Sequence, residues 1–245
     1  MKQLAPSKGY RRGYPVALLV GLGENQAVLW KIYSHVAKPE RTINLDGARS
    51  DAKAIYNFHE AIVNSLRPTV KEGVKSIIIA APTRTNYADE FLGHIRGHHS
   101  WLVQGAGKAA FAEITGPAVS VHDVTTLTRT PQFRRIVGET TTEETENLLE
   151  LLEKRLNSSG KEPLVLYSLE ETEAAICGSS ASDKPKPEYL ILVDTYLSSS
   201  RNRGRLHRLQ QIATNRGVQN RIVKAESAAG KRVLQLGGII CILKP

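Results

Sequence analysis

The alternation of apolar and polar positions divides the chain into short strands and helices. Tyr14–Leu22, "YPVALLVGL", and Ala27–His35, "AVLWKIYSH", are apolar runs of strand length, and "GENQ" between them has turn chemistry, so they predict a hairpin. From Ser50 to Leu66 the period becomes helical. Ala54, Ile55, Phe58, Ile62 and Leu66 share one face, Ser50 or Asp51 can cap the start, and Pro68 is expected to end the helix. "VKSIIIAAP" (Val74–Pro82) reads as a buried strand and "NYADEFLGHIRG" (Asn86–Gly97) as a short helix closed by glycine. "HSWLVQGAG" is expected to add a strand and a loop, and "KAAFAEI" to open another helix. An acidic helix is expected after Thr142, over 143–156, with Leu148, Leu149, Leu151, Leu152 and Leu156 on its apolar side.

The second half continues the alternation. "LVLYSLEETEAAI" is a short strand and then a helix capped by Ser168, with Glu171 three residues on in a capping-box pattern. "SSASDKPKP" is a loop, "EYLILVDTYL" a strand, "RGRLHRLQQIATNRG" a basic helix closed by Gly217, and "VQNRIVKAES" a strand. The chain ends "GKRVLQLGGIICILKP": a short helix or turn, a Gly-Gly, and five apolar residues. Five is far below the ~20 that span a bilayer and suits a buried closing strand. Strands alternating with helices in both halves predict an α/β protein of two domains, with a boundary near 135–145.

Composition adds less than charge does. At 245 residues, 41% hydrophobic and 23% charged, the chain is of ordinary globular make-up. Cys177 and Cys241 give no disulfide framework and no CxxC pair, and the basic, polar N-terminus has no secretory apolar core. The protein is therefore expected to be cytoplasmic, with reduced thiols and no membrane partner. The net charge of +9 is unevenly placed: residues 1–138 carry +8, residues 139–173 carry −7, and residues 184–245 carry +9. Two basic lobes around an acidic stretch favour a polyanion, most often nucleic acid, over charge kept for solubility alone.

Arg201, Arg203, Arg205, Arg208 and Arg216 make the densest cationic cluster, and from Thr195 to Lys224 there is no acid. Helical spacing brings Arg201, Arg205 and Arg208 to one face, which points to phosphate contact. Lys8, Arg11 and Arg12, interleaved with Tyr10 and Tyr14, suit an RNA-contacting arm or a disordered tail. Other motifs fall short. "GLGENQ" has Gln26 where a dinucleotide fingerprint needs its third glycine, and in "QGAGKAAF" Lys108 is followed by alanine and not Ser or Thr. His94, His98 and His99 form HxxxHH, and the first two could share a helix face as metal ligands. Gly97 is expected to end the helix between them, so neither a metal nor a cofactor is expected.

The order "VLYSLEETEAAI…YLILVDTYL…GVQNRIVKAES…GKRVLQLGGIICILKP" resembles the C-terminal domain of the Pelota and class I release-factor family of archaea and eukaryotes. Tyr167, Leu169, Glu173 and Ala174, the strand Leu190–Asp194, and the ending Gly230…Leu234…Leu236-Gly237-Gly238-Ile239 carry the resemblance. "VALLVGLGENQAVLWKIYSHV…VKSIIIAAPTRTNYADEFLGHI" is similar to that family's central domain. The resemblance covers roughly residues 14–245 and is strongest after 163. It implies a basic arm over 1–13, a central domain over 14–138 and a C-terminal domain over 139–245. The last is an α/β sandwich resembling kink-turn RNA-binding ribosomal proteins.

The family's N-terminal decoding domain has no counterpart in this sequence, so stop-codon reading by that route is not expected. Where release factors carry a Gly-Gly-Gln loop for peptidyl-tRNA hydrolysis, this chain has Gly47-Ala48-Arg49-Ser50. In lacking the motif it is closer to Pelota. The resemblance therefore implies a ribosome-binding translation factor of rescue, recycling or quality control, with no hydrolytic step of its own. Its partners would be the ribosome, rRNA or tRNA, with a translational GTPase and a recycling ATPase. Two alternatives stand beside it: a divergent peptidyl-tRNA hydrolase acting through Gly47–Ser50, and a ribosome-independent RNA-binding module.

Overall fold

The structure, a computed structural model, describes residues 13–34, 36–105, 108–158, 163–178 and 185–245. Its first strands are β1 (Pro15–Leu22), β2 (Gln26–Tyr33) and β3 (Ala37–Asn44). They form an antiparallel meander, with Val20 opposite Leu29 and Val28 opposite Thr42. The expected hairpin is thus present. β3 carried no apolar pattern because it is an edge strand with exposed residues over most of its length.

Helix α1 (Ala52–Lys71) begins at Asp51, whose carboxylate accepts from Lys53 N at 2.9 Å. It does not stop at Pro68. The proline ring is exposed, while Thr69 and Val70 continue the buried face begun by Ala54, Phe58, Ile62 and Leu66, so packing carries the helix past its own breaker. β4 (Ser76–Ala81) runs parallel to β1, and α2 (Tyr87–His98) crosses back over the sheet. Two expectations fail next. The segment expected as a strand begins with α3 (Ser100–Val103), and the segment expected as a helix is β5 (Ala110–Thr115). Alanines at 109, 110 and 112 suggest a helix, but the parallel ladder with β4 decides the conformation, pairing Ile78 with Ala112 and Ala80 with Ile114.

α4 (Val121–Arg129) starts from a capping box at Ser120 and Asp123. α5 (Pro131–Leu156) begins twelve residues earlier than its acidic part suggested. Thr130 caps it by accepting from Phe133 N at 3.1 Å, and Pro131 fits the first turn. Thr140–Thr142, before the expected start, lie inside the helix: Thr142 Oγ1 donates to the Gly138 carbonyl at 2.9 Å and Thr140 bonds the Ile136 carbonyl in the same way.

The first sheet has the order β3-β2-β1-β4-β5. Leu18, Val20, Ile77 and Ile79 face α1 and α2, while Ala17, Leu19, Ile78 and Ala80 face α4 and the start of α5. The second half adds β6 (Val165–Leu166), α6 (Leu169–Cys177), β7 (Pro187–Val193), α7 (Asp194–Ser199), α8 (Arg203–Asn215), β8 (Gln219–Val223), α9 (Ala228–Gln235) and β9 (Ile239–Leu243). The expected strand over 188–197 therefore turns helical at Asp194. The Ser168–Glu171 capping box forms as its spacing predicted.

This second sheet has the order β6-β9-β7-β8. Tyr189, Ile191, Val193, Ile240 and Ile242 pack on α5 and α9. Leu190, Leu192, Ile239, Cys241 and Leu243 pack with Ile176 of α6 and Leu206, Leu209 and Ala213 of α8. The apolar ending is continuous because both faces of β9 are covered. The whole is α/β, with helices on both faces of both sheets.

α5 joins the two sheets. It packs on β1, β4 and β5 of the first and on α9 and β6 of the second, so residues 138 and 139 fall inside one helix. Where the sheets meet, Asn220 N donates to the Glu72 carbonyl at 2.8 Å. Gly73 adopts φ +111°, and a Cβ there would lie 2.7 Å from Asn220 O, so glycine admits β8 to the end of α1. Behind this contact, Arg221 forms an ion pair with Glu144 of α5 and donates to the carbonyls of Pro15 and Val16, each at 3.1 Å. Glu144 also accepts from Lys75 N at 3.2 Å, and Lys75 Nζ donates to Tyr189 Oη at 2.6 Å. Burial pushes the Lys75 ammonium down and the Tyr189 phenol up to about 12.

Candidate functional site

Three groups of side chains stand out from the framework. The first is the loop from Leu45 to Asp51. Gly47 takes φ +116° and, with Ala48 and Ser50, is exposed. Arg49 turns inward. Its Nε donates to the Glu24 carbonyl at 2.7 Å and its Nη2 to the Gly23 carbonyl at 2.8 Å, both in the β1–β2 turn. Its guanidinium lies 3.5 Å from the Tyr87 ring centroid and pairs with Glu90 at 3.5 Å. The fork of donors and the stacked plane are both used, which fixes the loop onto the sheet. Of the four residues considered for hydrolysis, the cationic one is a structural tie.

The second group is the basic face of α8. Leu206, Leu209 and Ala213 bury one side and leave the arginines outside. The structure divides those arginines. Arg205 makes a two-pronged contact with Glu173 of α6, with Nε at 2.7 and 2.8 Å from the two carboxylate oxygens, and the pairing raises the Arg205 pKa. Arg216 donates to the carbonyls of Gly178 at 2.7 Å and Cys177 at 3.2 Å, closing the C-terminus of α6. These two tie α8 to α6. Arg201, Arg203 and Arg208 are exposed and make no ion pair among the described residues. Lys8, Arg11 and Arg12 lie outside the described residues, as do Ala106 and Gly107 of the "QGAGK" loop and most of "SSASDKPKP".

The third group was not assembled by the spacing of the sequence. Helix α2 continues through Gly97 to His98, so the glycine does not end it where expected. His94 and His98 do share a face, with ring centroids 4.9 Å apart, and His99 brings a third ring to 5.3 Å from His94; it is His99, not His98, that joins His94 at Glu60. His99 N still bonds the Ile95 carbonyl at 2.8 Å, but its ψ of +57° breaks the helix and returns the imidazole toward His94. Glu60, on the flank of α1 one turn after Tyr56, reaches both: its Oε1 lies 3.1 Å from His94 Nε2 and 2.8 Å from His99 Nε2. His59 lies beside them, with its ring 5.2 Å from that of His94. Burial, then the neighbouring His94 and Arg49, pushes His59 down to about 4. Burial likewise lowers His94, against the Glu60 carboxylate.

No protein-family model and no curated protein sequence matches the chain. Solved structures do. Archaeal Pelota, in a model of ribosome-bound archaeal Pelota and ABCE1, matches over 98% of this chain and 64% of its own, with 16% identity and a TM-score of 0.52. The fold is Pelota-like. Yeast Dom34, described as a translation termination-like factor involved in RNA quality control pathways and interacting with Hbs1, matches over 98% of this chain and 65% of its own. Its identity is 19% and its TM-score 0.49. Pelota of Archaeoglobus fulgidus matches over 95% of this chain and 65% of its own, at 19% identity and TM-score 0.40. The chain thus spans less than two thirds of the length of these three solved structures. The Pelota-like fold extends over both sheets, the architecture that the resemblance implied.

Glu60 and Arg221 had no part in the expectations. Glu60 stands 34 residues before His94, and only the packing of α1 on α2 joins them. Arg221 had a faint signal: a cation inside the strand "QNRIV" has to find an anion if both faces of that strand are covered.

Proposed function

We propose that this chain is a ribosome-associated translation factor of the Pelota/release-factor type. It acts in ribosome rescue, recycling or quality control, in the cytoplasm, without a hydrolytic step of its own. The observation that carries the reading is the likeness in fold, over both sheets, to a Pelota described on the ribosome. Residues 14–138 then correspond to the central domain and 139–245 to the C-terminal domain, sharing α5, with 1–13 as a basic arm. Exposed Arg201, Arg203 and Arg208 supply phosphate contacts to rRNA or tRNA. A translational GTPase and a recycling ATPase are the protein partners in this reading. The hydrolase alternative finds no support in the loop, because Arg49 is committed to the Gly23 and Glu24 carbonyls.

Co-sedimentation with cognate ribosomes and separated subunits, over a salt series, tests the proposal. The chain is expected to travel with the ribosome or one subunit and to dissociate steeply as salt rises. Replacing Arg201, Arg203 and Arg208 together by alanine is expected to flatten the log–log salt dependence by about one for each phosphate no longer engaged. Absence from the ribosomal fractions at every salt concentration would sink the reading. Binding to bare RNA as tight as to ribosomes would move it to an RNA-binding module.

A further inference from the structure

The cluster between α1 and the end of α2 has a composition that the ribosomal reading does not use. One carboxylate and two imidazoles are ligand types that bind divalent transition metals, and two histidines with one glutamate is a set that holds zinc with a coordination position to spare. The ligand atoms of Glu60, His94 and His99 all lie within 4.8 Å of one another. Around a tetrahedral zinc, with bonds near 2.0–2.2 Å, neighbouring ligand atoms stand about 3.3 Å apart. The two Glu60 distances, 3.1 and 2.8 Å, are already close to that value.

A second observation is independent of composition. His99 is 6% exposed, and its Nε2, aimed into the cluster, is buried without a hydrogen-bond partner among the described residues. It lies 2.8 Å from Glu60 Oε1, yet the approach does not have hydrogen-bond geometry. A hydrogen-bonded His–Glu–His cluster accounts for His94, which does bond Glu60. It leaves His99 Nε2 buried beside the carboxylate without a hydrogen bond, which is costly for a polar atom away from water. A cation equidistant from the three atoms engages all of them at once.

We propose that Glu60, His94 and His99 form a binding site for a divalent transition-metal cation of the zinc class. The site joins the middle of α1 to the α2–α3 corner. The two histidines are buried, while the Glu60 side chain is 28% exposed, so the remaining coordination position opens to solvent on the Glu60 side. His98 is exposed and packs its ring 4.9 Å from that of His94 and 5.2 Å from that of Tyr56, but it lies outside the set of ligand atoms within 4.8 Å of one another and is not a ligand.

The test uses the full chain, stripped with a chelator and titrated with Zn2+ by calorimetry and with Co2+ by visible absorption. One equivalent is expected, with the intense visible bands of four-coordinate cobalt. His94→Asn, His99→Asn and Glu60→Gln are each expected to weaken zinc binding more than tenfold, and His98→Asn to leave it unchanged. Because the histidines also pack in the core, each variant is melted with and without zinc. Zinc should raise the melting temperature of the wild type and of His98→Asn, and of none of the three ligand variants. Glu60→Gln, at the solvent edge, is the variant least able to disturb folding. Zinc bound equally by the wild type and Glu60→Gln, or no saturable zinc binding by the wild type, overturns the proposal.

Discussion

Replacing Glu144 by glutamine probes the contact that joins the two sheets. The Glu144 and Arg221 side chains are 2% and 1% exposed, so water cannot take the place of either partner. Glutamine keeps an oxygen for Lys75 N but removes the charge facing Arg221. The guanidinium is then left with the Pro15 and Val16 carbonyls, and Lys75 is a second buried cation nearby. Removing one member of a buried ion pair costs about 3–5 kcal/mol, and the retained hydrogen bonds place this case near the lower end, at about 3 kcal/mol. With an unfolding entropy of about 2.1 cal/mol/K per residue, a chain of 245 residues loses about 2 °C per kcal/mol, so the melting temperature should fall by about 6 °C. Urea titration followed by circular dichroism, with calorimetry beside it, reads both quantities. The double variant Glu144→Leu with Arg221→Met removes both charges and should return to within about 1 kcal/mol of wild type. If Glu144→Gln costs less than about 1 kcal/mol, or if the double variant costs the sum of the two single ones, the pair does not act as described.

Other consequences are equally direct. Gly73→Ala places a Cβ 2.7 Å from Asn220 O at a residue with φ +111°, and should destabilise the protein by about 2 kcal/mol or more in the same denaturation assay. Arg49→Ala removes two charge-assisted hydrogen bonds and a stacked contact, a loss of about 2 kcal/mol. Arg49→Lys should lose nearly as much, since lysine cannot reproduce the fork; a neutral Arg49→Ala would show that the loop does not need this tie. One thiol, exposed Cys177, should react with a thiol reagent in the native protein, and Cys241 only after denaturation. Burial pushes Cys241 from 9.0 up to about 12, so above pH 9 the unfolded chain releases a proton that the folded chain keeps. Stability should therefore fall between pH 9 and about 12, more steeply in the wild type than in Cys241→Val.

Much of the fold was legible in local pattern. The β1–β2 hairpin, the Ser168 capping box, the basic α8 and the apolar close at Ile239–Leu243 each depend on neighbours in sequence or on simple periodicity. The errors share one cause. β5 follows the ladder offered by β4 against the helical preference of its alanines, and α1 passes Pro68 because Thr69 and Val70 have a core to enter. The alternation of strands and helices was similarly readable, because covered sheets require apolar strands at set intervals; the resemblance to Pelota rested on particular residues, such as the ending Leu236-Gly237-Gly238-Ile239.

The sites divide along the same line. Sequence alone determined that the chain is α/β, that its ends are basic, and that a cationic helix lies in a stretch of chain without acids, because composition and period are properties of the chain itself. Only the tertiary structure decided which arginines are tied within the protein, Arg49, Arg205, Arg216 and Arg221 among them, and that Arg201, Arg203 and Arg208 make no ion pair among the described residues. It also decided that Glu60 meets His94 and His99. Charge and ligand chemistry act over a few ångströms, and residues 34 or 77 positions apart come within that distance only when helices and sheets have packed.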